Sequence, residues 1–256
     1  MRRKGLYTLV PVAELQCIVG CCGWTEAQRR YVTDFPVIEL QSTFYQPPAD
    51  NVVRRWKALA PPGFQFCLKA WQLITHTPSS PTYRRLKSGV SQAEGDLFGS
   101  FRPTEQVRLA WERTREVAAM LEARVVVFQC PKSFIPTREN IRNLRAFFRD
   151  IDRDGRTLAW EPRGNEWRAE AIREICAEHD LIHCVDPFES DPAYGTTLYW
   201  RLHGKAGYRY RYTDQDMSEL DAKLRAYSGL PGPHYILFNN IYSRDDALRY
   251  NRKHRP

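Results

Sequence analysis

Eight short apolar runs of strand length recur along the chain, and a stretch with helical spacing follows seven of them. The runs are Gln16–Gly20, Val37–Leu40, Phe64–Lys69, Val125–Gln129, Thr157–Glu161, Leu181–Asp186, one that begins at Tyr199, and His234–Phe238. Short buried strands that alternate with amphipathic helices call for a parallel sheet covered by helices. Eight such units within 256 residues predict a closed TIM-like (β/α)8 barrel. A doubly wound open sheet is the alternative, but no GxGxxG and no P-loop follows any of the runs.

The intervening stretches carry helix signals of different strength. Thr25-Glu26-Ala27-Gln28 has the form of a capping box, Asp50 and Asn165 stand where N-caps belong, and Ser243 opens the last helix. Thr104 precedes Val107, Ala110, Trp111, Thr114, Val117, Ala118 and Leu121 at helical spacing, and Thr137 precedes a second such stripe. Cys21 to Trp24 reads as a turn out of the first strand, and Gln41–Pro48 reads as a loop. The link after the sixth strand, Pro187 to Thr196, is too short and too rich in proline for a full helix. The expected organisation is an N-terminal extension over residues 1–15 and one barrel domain over 16–256. A long inserted connection at about 70–103 is of the kind that usually has a function.

Polar residues gather where a barrel builds its sites, at or just past the C-terminal strand ends. They are Glu39, Lys69, Gln129, Glu161, Asp186, Arg201, His203 and Asn239. A salt-bridge network is the bland reading of such a ring; a catalytic rim is the sharper one. On the sharper reading Glu161, Asp186 and Glu39 are acid and base candidates, and His203 is a proton carrier. Lys69, Arg201 and Arg163 would hold an anion or stabilise charge developing on oxygen, and Gln129, Asn239 and Asn240 would orient a substrate. Tyr45, Trp24 and His76 would line the mouth.

The seventh strand leads into a basic, aromatic segment, Lys205-Ala206-Gly207-Tyr208-Arg209-Tyr210-Arg211-Tyr212. Tyr208 and Arg209 could grip a substrate or stack on bases and meet phosphates; equally, the Tyr face could pack while the Arg face stays wet. The net charge is +8, with 30 Arg against 8 Lys, which favours anionic ligands. The stripe Arg138, Arg142, Arg145, Arg149 fits a solvated helix face better than a nucleic-acid surface. Seven cysteines without a CxxC pair argue against a disulfide framework or a structural zinc, and they read as small buried hydrophobes. A divalent metal has only weak support, because no HExxH and no dense His cluster occurs. No apolar run reaches membrane-spanning length and no secretory core is present, so a cytoplasmic protein with no membrane partner is expected.

A set of motifs distributed almost end to end resembles the YecE-like proteins, the domain of unknown function seventy-two. It comprises Gly20-Cys21-Cys22-Gly23-Trp24, Glu39 through Tyr45, Phe66 through Ala70, Thr75-His76, and Phe128-Gln129-Cys130-Pro131. It continues with Trp160-Glu161-Pro162-Arg163, Asp186-Pro187, Arg201-Leu202-His203-Gly204 and Phe238-Asn239-Asn240. The segment Lys87–Arg102 and the Tyr/Arg run look like an archaeal-type branch of that family. The resemblance implies a TIM-like barrel and no settled reaction. The family's barrel is similar to the endonuclease-four and xylose-isomerase group, whose multi-His metal ligands have no evident counterpart in this sequence. The leading expectation is an enzyme, a hydrolase or lyase, acting on a phosphate-bearing or otherwise anionic ligand at the barrel mouth. The alternatives are a non-catalytic nucleic-acid-binding protein and a glycoside hydrolase built on Glu161 and Glu39.

Overall fold

The architecture is set by eight parallel strands that hydrogen-bond in one sheet, as shown by a computed structural model that describes residues 17–87, 90 and 92–254. The strands are β1 (Cys17–Cys22), β2 (Val37–Leu40), β3 (Gln65–Lys69), β4 (Val125–Gln129), β5 (Thr157–Glu161), β6 (Leu181–His183), β7 (Tyr199–Leu202) and β8 (His234–Phe238). Their order is β6-β5-β4-β3-β2-β1-β8-β7. The two ends of that order meet through a bridge between Val185 and Trp200, where the Arg201 amide donates to the Val185 carbonyl at 2.9 Å. The predicted (β/α)8 barrel is therefore present and nearly closed. The proposed extension over residues 1–15 lies outside the described residues.

Helices α1 (Gln28–Asp34), α3 (Asp50–Leu59), α5 (Glu105–Leu121), α6 (Arg138–Asp150), α7 (Ala169–Glu178), α8 (Asp214–Arg225) and α9 (Ser243–His254) follow seven of the strands; two single-turn helices, α2 (Ser42–Tyr45) and α4 (Gln72–Thr75), occupy loops. As expected, no helix lies between β6 and β7. The stripe read on α5 is buried in full, and Thr104 caps it by accepting from the Val107 amide. Thr137 caps α6 in the same way. No described helix is long and apolar enough to cross a membrane.

Three expected caps do not form, and in each case tertiary partners surround the segment. At α1 the N-cap is Ala27 rather than Thr25, with no side-chain cap, and the adjoining Glu26 carboxylate pairs with Arg30 and with Arg244 of α9. At α3 the cap is Ala49, and Asp50 turns its side chain to Arg113 of α5 at 2.8 Å. At α7 the cap is Arg168, since the chain turns at Gly164 and the Trp167 ring nitrogen donates to the Phe134 carbonyl at 2.7 Å. Cys21 and Cys22 continue β1 rather than leaving it, and Gln41–Pro48 contains the short α2. The connection after β3 holds α4 and two 3-10 turns, Pro81–Arg85 and Gln92–Leu97. It folds back so closely at Gly99 that a Cβ there would sit 2.3 Å from the His76 carbonyl oxygen, at a φ of +76° that favours glycine.

Two packed layers result. Ile18, Val37, Cys67, Val125, Val127, Ala159, Ile182, Cys184, Tyr199, Tyr235 and Leu237 fill the barrel interior. The opposite strand faces meet the helices in a larger core, rich in aromatics around Phe101, Trp111, Phe128, Phe147 and Phe148.

Candidate functional site

The inner layer dictates which residues reach the mouth. Side chains alternate along a strand, so the residue two positions after an inward apolar one also points inward, one level nearer the C-terminal rim. From Val37, Cys67, Val127, Ala159, Cys184, Tyr199 and Leu237 that step gives Glu39, Lys69, Gln129, Glu161, Asp186, Arg201 and Asn239. One step beyond Arg201 is His203. The polar ring is the top layer of the barrel itself.

Arg201 is its hub and is fully buried. Its Nη2 lies 3.0 Å from Glu39 Oε1, while Nη1 bonds Glu161 Oε2 and reaches Gln129 Oε1 at 3.2 Å. A single planar guanidinium thus bridges carboxylates from β2 and β5. Glu39 accepts two further bonds, from the Tyr199 hydroxyl at 2.9 Å and from Gln41 Nε2. Burial alone would raise the Glu161 carboxyl, but the charges of Arg201, Arg163, His203 and Lys69 hold it well below the usual carboxylate range.

A second chain of contacts runs along the rim. Arg163 Nε donates to Glu161 Oε1 at 2.8 Å, and Arg163 Nη2 lies 2.9 Å from His203 Nε2. A guanidinium can only donate, so Nε2 accepts and the imidazole proton sits on Nδ1, which faces Asp186 Oδ2 at 3.5 Å. Asp186 is fixed in turn by the His203 and Phe188 amides, at 2.8 and 3.0 Å. This is an imidazole oriented by a carboxylate, with its second nitrogen turned toward the cleft but latched by Arg163.

Lys69 stands apart from these pairs. Its side chain forms no hydrogen bond or ion pair with another described residue; Nζ lies 3.9 Å above the centroid of the Phe44 ring. Burial, then the Arg201 charge, brings its ammonium down from the ordinary lysine range to about 7, against the pull of Glu39 and Glu161. Its backbone is pinned by the Thr43 hydroxyl, which donates to the Lys69 carbonyl at 2.8 Å. His76 packs edge-on against the same Phe44 ring at 4.9 Å and bonds Thr75 through Nδ1. Burial, with Lys69 and Arg163, lowers its imidazolium to about 3, so the ring is neutral.

These groups open onto a cleft of about 370 Å³ whose wall carries Lys69, Arg163, Arg201 and Lys205 against one acid, Glu189. His76, Gln129, His203, Asn239, Tyr45 and Tyr208 also line it. Glu39 lies behind that wall. A second cavity of about 680 Å³ lies beyond the Arg163–His203 contact, with Glu161, Asp186, His183 and Lys132 among its walls. The two share Arg163, Glu189 and His203.

Some expected site residues sit elsewhere. Asn240 is buried behind the rim, where its Nδ2 donates to the Tyr210 carbonyl and to Asp246. Trp24 packs against Tyr31 and Trp56 and is not part of the cleft lining. In the Tyr/Arg run only Tyr208 reaches the cleft, and it is 62% exposed. Arg209 is exposed beside it, whereas Tyr210 bonds Asp216 and the Tyr212 hydroxyl accepts from the Gly204 amide. Cys21 is buried and its thiol is pushed up to about 12; burial raises the Cys22 thiol as well. Neither is an activated nucleophile. Sequence reading missed Tyr199 and Gln41, the two neutral donors to Glu39. Tyr199 was findable, because it precedes Arg201 by two residues on one strand face.

The metal chemistry of similar barrels does not fit this donor set. Among the described residues no three His, Cys, Asp or Glu side chains group as ligands, and the two central carboxylates already hold a guanidinium.

Residues 18–254 match the sequence profile of the family described as protein of unknown function DUF72. Among solved structures, a DUF72 family protein from Thermotoga maritima is 19% identical, with 93% of this chain and 98% of that one covered and a TM-score of 0.69. A DUF72 family protein from Enterococcus faecalis is 20% identical over 94% and 98% of the two chains, with a TM-score of 0.68. A D-tagatose 3-epimerase-like protein is 14% identical over 92% and 96%, at a TM-score of 0.59. No curated protein matches the chain.

Proposed function

Since the chain belongs to the DUF72 family, whose description carries no reaction, we propose from its site that it is an enzyme of the hydrolase or lyase class acting on an anionic small ligand, phosphate-bearing or carboxylate-bearing, at the barrel mouth. The observation that carries this reading is the division of charge. The cations Lys69, Arg163 and Arg201 face the cleft, while Glu39 and Glu161, which tie down the two arginines, lie below and beside it. The bound anion would meet Arg163 and Lys69 first. As Arg163 turns to it, His203 Nε2 is released and becomes a proton acceptor held in place by Asp186. Similarity to an epimerase-like barrel supports the fold of such an enzyme and no more.

Calorimetry with inorganic phosphate and simple phosphomonoesters at low salt tests the reading. Arg163→Ala should weaken binding about tenfold or more, the loss of one charged hydrogen bond. Arg138→Ala, on the exposed outer face of α6, should leave it unchanged. Absence of millimolar binding of any such anion overturns the proposal.

A second reading, a nucleic-acid surface, draws on exposed Tyr208 and Arg209 at the rim. It requires affinity for single strands that falls steeply with salt and is lost in Tyr208→Ala. The glycoside reading draws no support from the geometry: Glu39 and Glu161 share one guanidinium, and Glu161 is held ionised, unlike a general acid.

A further inference from the structure

We propose that Lys69 is a nucleophile that forms a Schiff base with a ligand carbonyl, so that the substrate class is a small aldehyde or ketone that also bears a phosphate or carboxylate. This deepens the reading above and rests on it for the anionic group.

The site sets three basic side chains, Lys69, Arg163 and Arg201, around two central carboxylates, Glu39 and Glu161. Both carboxylates are committed to arginine, which binds them in a fixed planar fork. The amine at the end of β3 therefore has no counter-ion of its own, although it stands in the cleft wall. A lysine meant to grip an anion or brace a fold would normally be paired or wet; this one is 5% exposed and unpaired among the described residues. The charged groups that face it are Arg201 from β7, Arg163 from the loop after β5, Glu39 from β2 and Glu161 from β5; His76, after α4, is neutral. Fixed cations and burial outweigh the carboxylates, and a free amine is populated near neutral pH. A desolvated lysine beside other cations is the form in which an amine attacks carbonyls.

The surroundings suit each part of that step. The amine lone pair bonds the carbonyl carbon, and the carbonyl π pair moves to oxygen, which takes up a proton to give a carbinolamine. Nitrogen gives its surplus proton to water, since the neutral His76 ring, packed edge-on against Phe44, is too weak a base to take it. A second proton turns the hydroxyl into water, which leaves as the nitrogen lone pair closes the C=N bond. One water is released, nothing is oxidised or reduced, and the product is a protonated imine. Gln129 and Asn239 line the wall where the carbinolamine oxygen would lie, and Arg163, in the same wall, would take the ligand's anion as its Nη2 turns from His203. The iminium then withdraws electrons from the neighbouring carbon, which is lyase chemistry. The cleft volume, about 370 Å³, matches a small ligand.

The test is reductive trapping. The full chain is incubated at pH 7 with dihydroxyacetone phosphate or glyoxylate and cyanoborohydride, and adducts are located by peptide mass spectrometry. Expected is one adduct on Lys69, formed at least tenfold faster than on any surface lysine, with a rate that is half-maximal near pH 7. Lys69→Arg and Lys69→Met, each checked for folding by circular dichroism, should lose it. Uniform labelling of surface lysines, or an unmodified Lys69 in folded protein, overturns the inference. Inorganic phosphate should slow trapping by the phosphorylated probe. If phosphate binds by calorimetry yet Lys69 never reacts, the covalent step is wrong and the anion site stands. If Lys69 is trapped but phosphate neither binds nor competes, the nucleophile stands and the anion reading falls.

Discussion

Replacing Arg201 by methionine tests whether the barrel is built around one guanidinium. Methionine keeps much of the length and none of the charge, and Arg201 is fully buried between Glu39 and Glu161. Glu161 retains Arg163, so the orphan is chiefly Glu39, left with Tyr199 and Gln41 as neutral donors. Removing one partner from a buried ion pair costs about 3–5 kcal/mol. For a domain of this size that lowers Tm by roughly 6–20 °C.

The pH dependence discriminates this cause from loss of packing. In the native protein Glu161 is depressed in the folded state, so its contribution is full above the unfolded value, about 4.3, and is lost as pH falls through the folded one. Without Arg201, Glu161 loses the first of the charges that offset its burial, so its carboxyl rises and acid relieves the penalty by protonating it. Urea unfolding followed by tryptophan fluorescence at pH 7 and pH 4.5 should show the deficit of the variant shrinking as pH falls. A deficit below about 1 kcal/mol at pH 7, or one that grows toward pH 4.5, refutes the reasoning.

Lys69→Met should stabilise the fold at pH 7, by up to about 4 kcal/mol, because the native chain keeps a desolvated amine near 7 that is near 10.5 when unfolded. The unfolded native chain binds more protons between those values, so its stability rises with pH across that window; the variant should lack the rise in urea titrations. Asp186→Asn cannot accept from both the Phe188 and His203 amides while still facing His203 Nδ1, and should cost about 1–3 kcal/mol. Nitrogen NMR should find the His203 proton on Nδ1 in the native protein and displaced in that variant; an unchanged tautomer sinks the assigned network. Gly99→Ala drives a Cβ into the His76 carbonyl at a positive φ, and should lower stability by about 2–4 kcal/mol in thermal melts. A neutral result would mean that the long connection does not clamp His76.

What was legible in the sequence follows the physics of periodicity. A strand of period two buried on both faces announces itself as an apolar run, and the first polar residue at its end marks the rim. That is why Glu39, Lys69, Gln129, Glu161 and Arg201 could be named in advance. The same logic misleads where two polar residues are adjacent: Asn239 faces the cleft, and Asn240, one residue on, turns to the opposite side. Caps were legible only in part: Thr104 and Thr137 serve their helices, but Asp50, with the right chemistry for a helix end, is claimed by Arg113, and no local window contains that partner. Trp24 has the chemistry of a cleft aromatic, but Tyr31 and Trp56 hold it half-buried against the core instead.

The allocation of partners gives the ring of charges its sense. Salt bridges alone would satisfy a structural account, and Arg201 with Glu39 and Glu161 is such a network. A network that served only the fold would also pair its remaining cation, since a buried ammonium without a carboxylate costs more than it returns. Lys69 breaks that pattern while its backbone is held by Thr43 and its side chain faces the cleft. Next to it, a neutral His76 is kept from competing for the proton, and across the mouth His203 is held in a single tautomer by Asp186. Arginine bound to carboxylate gives rigidity, and it leaves the Lys69 amine in the cleft wall without a carboxylate partner among the described residues. Stability has been given up at that residue, and sites where local rules are broken without structural return are where function is expected.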